Sequence, residues 1–251
     1  GLSYKWNRTE YYKILDDLLG GDYYVNIDQF AERDFAAYPT MIQNDLDYYL
    51  KNGAAQTLAQ GDKYGYDYYA HVRRAEAWAS GRFTFGGFEA TVAGRLGYSK
   101  FWREGLLRKG LFPGLDDNGN PFTYNGEVIT KYDQIDGRPI TSKGESDKKD
   151  FLTGSGKINL GYFISGGHRI YADAAYITEA PTFNQAFISP RTRNTVMPDL
   201  KTIKTLTADI NYAYSNSGYD VRVTGFYTSI KDQTDVMSFY DDAQNSFTNF
   251  A

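Results

Sequence analysis

Connections in this chain alternate between two kinds. Tight turns fall near 86, 166 and 217, at Gly86-Gly87, Ser165-Gly166-Gly167 and Asn216-Ser217-Gly218. Long polar loops fall near 9–66, 103–149, 179–201 and after 231. Between them lie segments in which apolar and polar residues alternate. In 88–102 the even positions read Phe88, Ala90, Val92, Gly94, Leu96, Tyr98, Lys100, Trp102, and the odd ones Glu89, Thr91, Ala93, Arg95, Gly97, Ser99, Phe101. A period of two sends successive side chains to opposite faces of a sheet. Two glycines between such runs are a hairpin signal.

A soluble sandwich has no reason to put every long loop at one end. An outer-membrane β-barrel does, because its periplasmic turns are short and its extracellular loops long. The expected fold is therefore all-β: an antiparallel transmembrane barrel segment of about seven or eight strands of roughly ten residues each, with short periplasmic turns and long extracellular loops. Strands are expected at 1–8, 69–85, 88–102, 150–163, 168–178, 202–214 and 221–230, with a further strand starting near the end. One or two short helices are expected in 28–50, where Ile27, Phe30, Ala31 and Phe35 have helical spacing, Asp28 is placed to cap, and Pro39 interrupts.

Composition is compatible with this. Mean hydropathy is -0.55, and no run of about 18 apolar residues supplies a transmembrane helix. A barrel needs only every second residue to be apolar. Aromatic residues reach 17%, enough for interfacial girdles or for stacking surfaces in the loops. The net charge of -4 comes without a basic stripe, so no nucleic-acid partner is expected. Cysteine is absent, which excludes thiolate chemistry and disulfides.

The third long loop carries more. Tyr176-Ile177-Thr178-Glu179-Ala180-Pro181-Thr182-Phe183-Asn184-Gln185-Ala186-Phe187 resembles the "fRAPtf.elF" segment of TonB-dependent outer-membrane receptors. Met197-Pro198-Asp199-Leu200-Lys201 resembles the "NPdLkPE" segment that follows it, and 206–232 resembles the next hairpin of that family. The motif residues are Ala180, Pro181, Thr182, Phe183, Phe187, Pro198, Asp199 and Leu200; Glu179, Met197 and Thr202 depart from the pattern. The first loop, with Tyr11-Tyr12 and Leu18-Leu19-Gly20-Gly21-Asp22-Tyr23-Tyr24, is similar to large receptors of Bacteroidetes type. The family has a closed barrel of about 22 strands, filled by a plug. The resemblance thus implies that 1–251 is a partial barrel domain, with plug and remaining strands elsewhere. It implies import of a scarce nutrient (siderophore, vitamin, oligosaccharide or peptide) across the Gram-negative outer membrane, with membrane lipid, the nutrient and, through the plug, TonB as partners.

Catalysis has little to stand on. His71 and His168 are the only histidines, and no G-x-S-x-G, P-loop or metal-binding spacing occurs. Neither an enzymatic activity nor a cofactor or metal is expected. Asp116, Asn118, Asn120 and Glu127 follow the ligand spacing of a calcium loop, but Pro121 occupies its glycine position. Candidate ligand contacts in the loops are Tyr11, Tyr12, Tyr23, Tyr24, Asp116, Asn118, Arg191 and Arg193. Two other readings stay open: a small closed barrel of about eight strands serving as an adhesin or anchor, and a soluble carbohydrate-binding β-sandwich.

Overall fold

The computed structural model describes residues 1–110, 142–187 and 189–235, with the backbone of short strand pieces at 123–124, 127–128, 134–135, 138–139, 237–241 and 246–250. Long strands are β1 (Leu2–Ile14), β2 (Lys63–Phe85), β3 (Phe88–Gly105), β4 (Lys149–Phe163), β5 (His168–Glu179), β6 (Ile203–Ser215) and β7 (Asp220–Lys231). They form one antiparallel sheet in chain order, and Gly144–Glu145 adds a short strand to the end of β3. A terminal hairpin, β8 (Met237–Asp241) and β9 (Ser246–Phe250), is a sheet of its own. Among the described residues β1 pairs only with β2, and β7 only with β6, so the sheet is open.

The hairpin turns sit where their glycines require. Gly86, Gly166 and Gly167 have φ of 59°, 76° and 84°, values that β-carbons disfavour. At the third turn the Asn216 side chain accepts from the N–H groups of Gly218 and Tyr219, both at 2.8 Å.

Register puts the expected apolar sets on one face. Ile158 faces Ala174, Leu160 faces Ala172 and Tyr162 faces Ile170 across β4 and β5. Tyr176 faces Leu206, Ala172 faces Ile210 and Ile170 faces Tyr212 across β5 and β6. The same rows run through Val92 and Ala90 of β3 and Gly225 and Val223 of β7. Among the described residues none covers this face: Leu152 is 75% exposed and Leu96 68%. An apolar area of that extent would be a liability in water and is the normal lipid contact of a barrel.

The opposite face is polar and internally bonded. Arg82 pairs with Glu89 at 2.9 Å and Arg169 approaches the same carboxylate at 3.7 Å. Arg95 pairs with Glu76 at 3.4 Å, and Asn159 donates to Asp173 at 2.9 Å. Thr224 donates to Asn211 at 2.6 Å. Such residues suit a wide, wet lumen. An eight-stranded barrel has an interior only wide enough for packed side chains.

The first hairpin is longer than its sequence suggested. β1 runs to Ile14 instead of ending near residue 8, and β2 starts at Lys63 instead of 69. Alternation is lost there because the added rows pair tyrosines and charges on both faces, such as Tyr11 with Tyr68 and Tyr12 with Asp67. With 23 residues in β2 and 18 in β3, this part of the sheet overshoots the roughly 9–11 residues that cross a bilayer. It stands above the membrane as a platform for the loops.

The small core lies on the inner face of that platform. Phe101, Ala186 and Phe187 are fully buried, with Val72, Phe151, Phe183, Val196 and Leu200 against them. The third loop therefore turns inward over the lumen, which explains its motif. Thr182 starts α3 (Phe183–Ala186), and its N–H donates to the Gln185 side chain at 2.9 Å. Phe187 pairs with Val196, and the Met197 N–H closes back on the Ala186 carbonyl at 2.8 Å. Asp199, at φ 55°, turns the chain so that Leu200 reaches the core.

Candidate functional site

The first loop builds one wall of a cleft. Asn26, buried, is its anchor: its side chain donates to Gln56 at 2.8 Å and accepts from the Gly65 N–H at 3.2 Å. That ties the loop to the start of β2. Tyr24–Val25 pairs with Thr57–Leu58. Asp28 caps α1 (Gln29–Phe35), accepting from the N–H groups of Phe30 at 3.1 Å and Ala31 at 3.3 Å. Asp45 caps α2 (Leu46–Asn52), which ends at Gly53 with φ 69°. The two short helices and the Asp28 cap match the expectation for 28–50; the Asp45 cap is an addition of the structure. The loop leans on the start of the second one through Leu46 N–H to Arg108 O at 2.7 Å and Gly110 N–H to Gln43 O at 2.7 Å.

Between these elements and the third loop lies a cleft of about 550 Å³, lined by Lys13, Asp17, Tyr23, Tyr24, Asp28, Phe30, Tyr64, Tyr66, Lys109 and Arg191, among others. Aromatic faces dominate its polar end. Tyr24 meets Tyr64 edge to face at 5.5 Å. The Lys13 ammonium lies 4.6 Å from the Tyr64 ring centre, and the Arg191 guanidinium 5.3 Å from that of Tyr66. Gln29 donates to the Tyr24 hydroxyl at 3.1 Å. Lys109 is buried; its ammonium meets the Asn44 side chain and lies 4.0 Å from Asp28. Burial pulls its pKa down to about 8, partly offset by Asp28. Stacking faces and hydrogen-bonding groups of this kind hold a planar or sugar-like solute in a fixed orientation.

Of the expected contacts, Tyr23, Tyr24 and Arg191 line this cleft. Tyr11 and Tyr12 do not lie in a loop: both belong to β1, where pairing with β2 continues past residue 8. Tyr11 stacks on Tyr68 at 5.2 Å, next to the core, and Tyr12 carries the Lys63 ammonium 4.3 Å above its ring. Arg193 is half-buried in the third loop, its N–H bonded to Ser189 O at 3.1 Å. Asp116, Asn118 and the calcium-like spacing lie outside the described residues.

Lys13, Phe30, Tyr64, Tyr66 and Lys109 are among the other residues that line the cleft. Tyr64 and Tyr66 were legible as part of an aromatic cluster. Lys109 has no sequence signal, since only the fold buries it. Arg103 is the other hidden residue. It is fully buried, and it donates to Pro190 O at 2.5 Å, to Ser142 O at 2.7 Å and to the Asn194 side chain. His71, inside β2, stacks on Trp102 at 4.6 Å and contacts Glu104 at 2.8 Å. His168 stacks on Tyr214 at 4.5 Å beside its turn. Both have structural surroundings.

The family model described as "TonB dependent receptor-like, beta-barrel" matches residues 2–250. No curated protein and no solved structure matches the chain. The matched span takes in every long strand, the inward third loop with its motif, and the cleft above the platform. With an apolar outer face, a polar lumen face and loops gathered at one end, the chain belongs to the TonB-dependent receptor β-barrel family of Gram-negative outer-membrane receptors and transporters.

Proposed function

We propose that this chain is part of the barrel of an active importer, which captures a scarce nutrient in the extracellular cleft and passes it through the lumen when TonB acts from the periplasmic side through a plug. The aromatic, cation-bearing cleft above the lumen supports capture at that end. The open sheet, with β1 and β7 not paired to each other among the described residues, supports a contribution to a larger barrel. It also disfavours the small closed barrel. The uncovered apolar face disfavours a soluble sandwich, because that fold keeps its outward residues polar. The nutrient is a siderophore, vitamin, oligosaccharide or peptide. The Tyr-rich first loop supports a receptor of the large-loop, Bacteroidetes type.

Growth on defined media, each limited in one of those nutrient classes, tests the reading. Removing the receptor is expected to abolish growth on one class, and removing TonB is expected to do the same. Uptake that persists without TonB, or loss of the receptor without effect on any class, contradicts the proposal.

A further inference from the structure

Charge on the outer face is confined to one end. The row Leu2–Ala77–Leu96 ends in Lys204 and Lys231 on β6 and β7; from the next row, Ala79–Gly94–Gly156–Tyr176–Leu206, down to the tight turns, the outward residues of β1–β7 include no Asp, Glu, Lys or Arg. Towards the loops, two rows beyond Leu2–Ala77–Leu96, stands Trp6–Arg73–Lys100–Asp150. Arg73 and Lys100 are direct cross-strand partners on the same face. Like charges in that position repel and destabilise a sheet. Neither is ion-paired with a carboxylate among the described residues, Asp150 included. One row further out, the other cations have partners: Arg8 lies 4.0 Å from Glu104, and Lys148 2.6 Å from Glu145.

Directly membrane-ward of this pair the face is hollow. The small side chains of Ala75 and Ala77 lie between Leu2 and Tyr4 on one side and Leu96 and Leu152 on the other, leaving a groove of about 470 Å³. Trp102 braces the pair from the loop side, its ring centre 5.0 Å from the Arg73 guanidinium. A pair of cations above an apolar trough, at the border of a lipid-facing surface, matches a phosphate above an acyl chain.

We infer that this face holds a phosphate-bearing lipid of the outer leaflet, with an acyl chain in the Ala75–Ala77 groove and the phosphate between Arg73 and Lys100. The anion relieves the repulsion of the pair and accepts hydrogen bonds from both. A lipid is the source, and not free phosphate, because the groove continues the apolar face that meets the membrane. The inference rests on the membrane orientation of the barrel. It does not depend on which nutrient the receptor imports.

The test uses the full-length receptor in nanodiscs of neutral phosphatidylcholine doped with lipid A or with its dephosphorylated form. Mass spectrometry reads the glycolipid retained. Wild type is expected to enrich the phosphorylated form. Each cation near an anionic surface is worth about fivefold, so R73Q/K100Q is expected to lower that enrichment roughly thirtyfold. A77L, which fills the trough, is expected to lower retention of both forms, and K157Q on the lumen face to change neither. Excess inorganic phosphate is expected to leave lipid retention unchanged. Equal retention by wild type and R73Q/K100Q, with the variants showing the same heat-modifiable mobility as wild type, overturns the inference. So does displacement of the lipid by inorganic phosphate.

Discussion

Arg103 donates from Nε to the carbonyl oxygen of Pro190, 2.5 Å away and 87 residues along the chain. This bond fastens the third loop to the inner face of β3. The same guanidinium holds Ser142 O at 2.7 Å, lies 4.8 Å from the Tyr68 ring centre and contacts Asn194. One buried cation thus joins the platform, the end of the second loop and the loop that carries the receptor motif.

Arg103→Met is therefore expected to free the third loop while leaving the strands in place. Losing charge-assisted bonds and stranding their buried acceptors costs about 2–4 kcal/mol. Hydrogen exchange on the full-length receptor is the check. Amides such as Met197 should lose protection, while those of Ile158 and Ile210 keep theirs. Uniform loss across the sheet would assign Arg103 a global role instead.

The two faces of β4 predict opposite responses to one substitution. Leu160→Arg, on the apolar face opposite Ala172, is expected to destabilise the barrel by about 2–4 kcal/mol if it sits near mid-membrane. Asn159→Arg, on the lumen face beside Asp173, is expected to change stability far less. Urea unfolding of the full-length receptor in lipid vesicles measures both.

At the second turn, space decides. A β-carbon on Gly167 would lie 2.1 Å from the Ser215 carbonyl oxygen, at a φ of +84°. On Gly86, φ +59°, it meets nothing within 4 Å. Gly167→Ala is expected to cost upwards of about 1–2 kcal/mol and to slow barrel assembly, whereas Gly86→Asn is expected to be nearly neutral, since Asn tolerates the left-handed region. Folding yield into vesicles separates them.

Lys109 gives the first loop a pH dependence. Its pKa falls from 10.5 to about 8 on folding because burial disfavours the charged form. The unfolded state then binds more protons between those values, so stability rises with pH across that window and is flat below it. Proteolytic resistance of the first loop is expected to increase from about pH 8 towards 10.5. In Lys109→Met the slope should vanish. A loop that instead weakens through that window would contradict the assignment.

Much of this architecture was legible in the residues. Alternation between Phe88 and Trp102 and the glycine turns gave the faces and the hairpins, because lipid on one side and water on the other impose a strict period of two. Asp28 announced its helix cap. What stayed hidden lies above the membrane, where both faces of β1 and β2 are polar and the alternation that marks a strand fades; hence Tyr11 was expected in a loop. Tyr24 and Arg191 come together only because Asn26 and Arg103 fold two distant loops over the lumen. Such anchors carry no local pattern.

The central claim is that even-numbered residues of β4 face lipid and odd-numbered ones face the lumen. This chain has no native cysteine, so single cysteines can be placed along it and spin-labelled in the full-length receptor reconstituted in bilayers. Labels at Leu152, Gly154, Gly156, Ile158 and Leu160 are expected to collide with oxygen, which concentrates in hydrocarbon. Labels at Thr153, Ser155, Lys157 and Asn159 are expected to collide with a water-soluble nickel chelate. The same accessibility for both sets, or nickel access to the even set, would contradict the account.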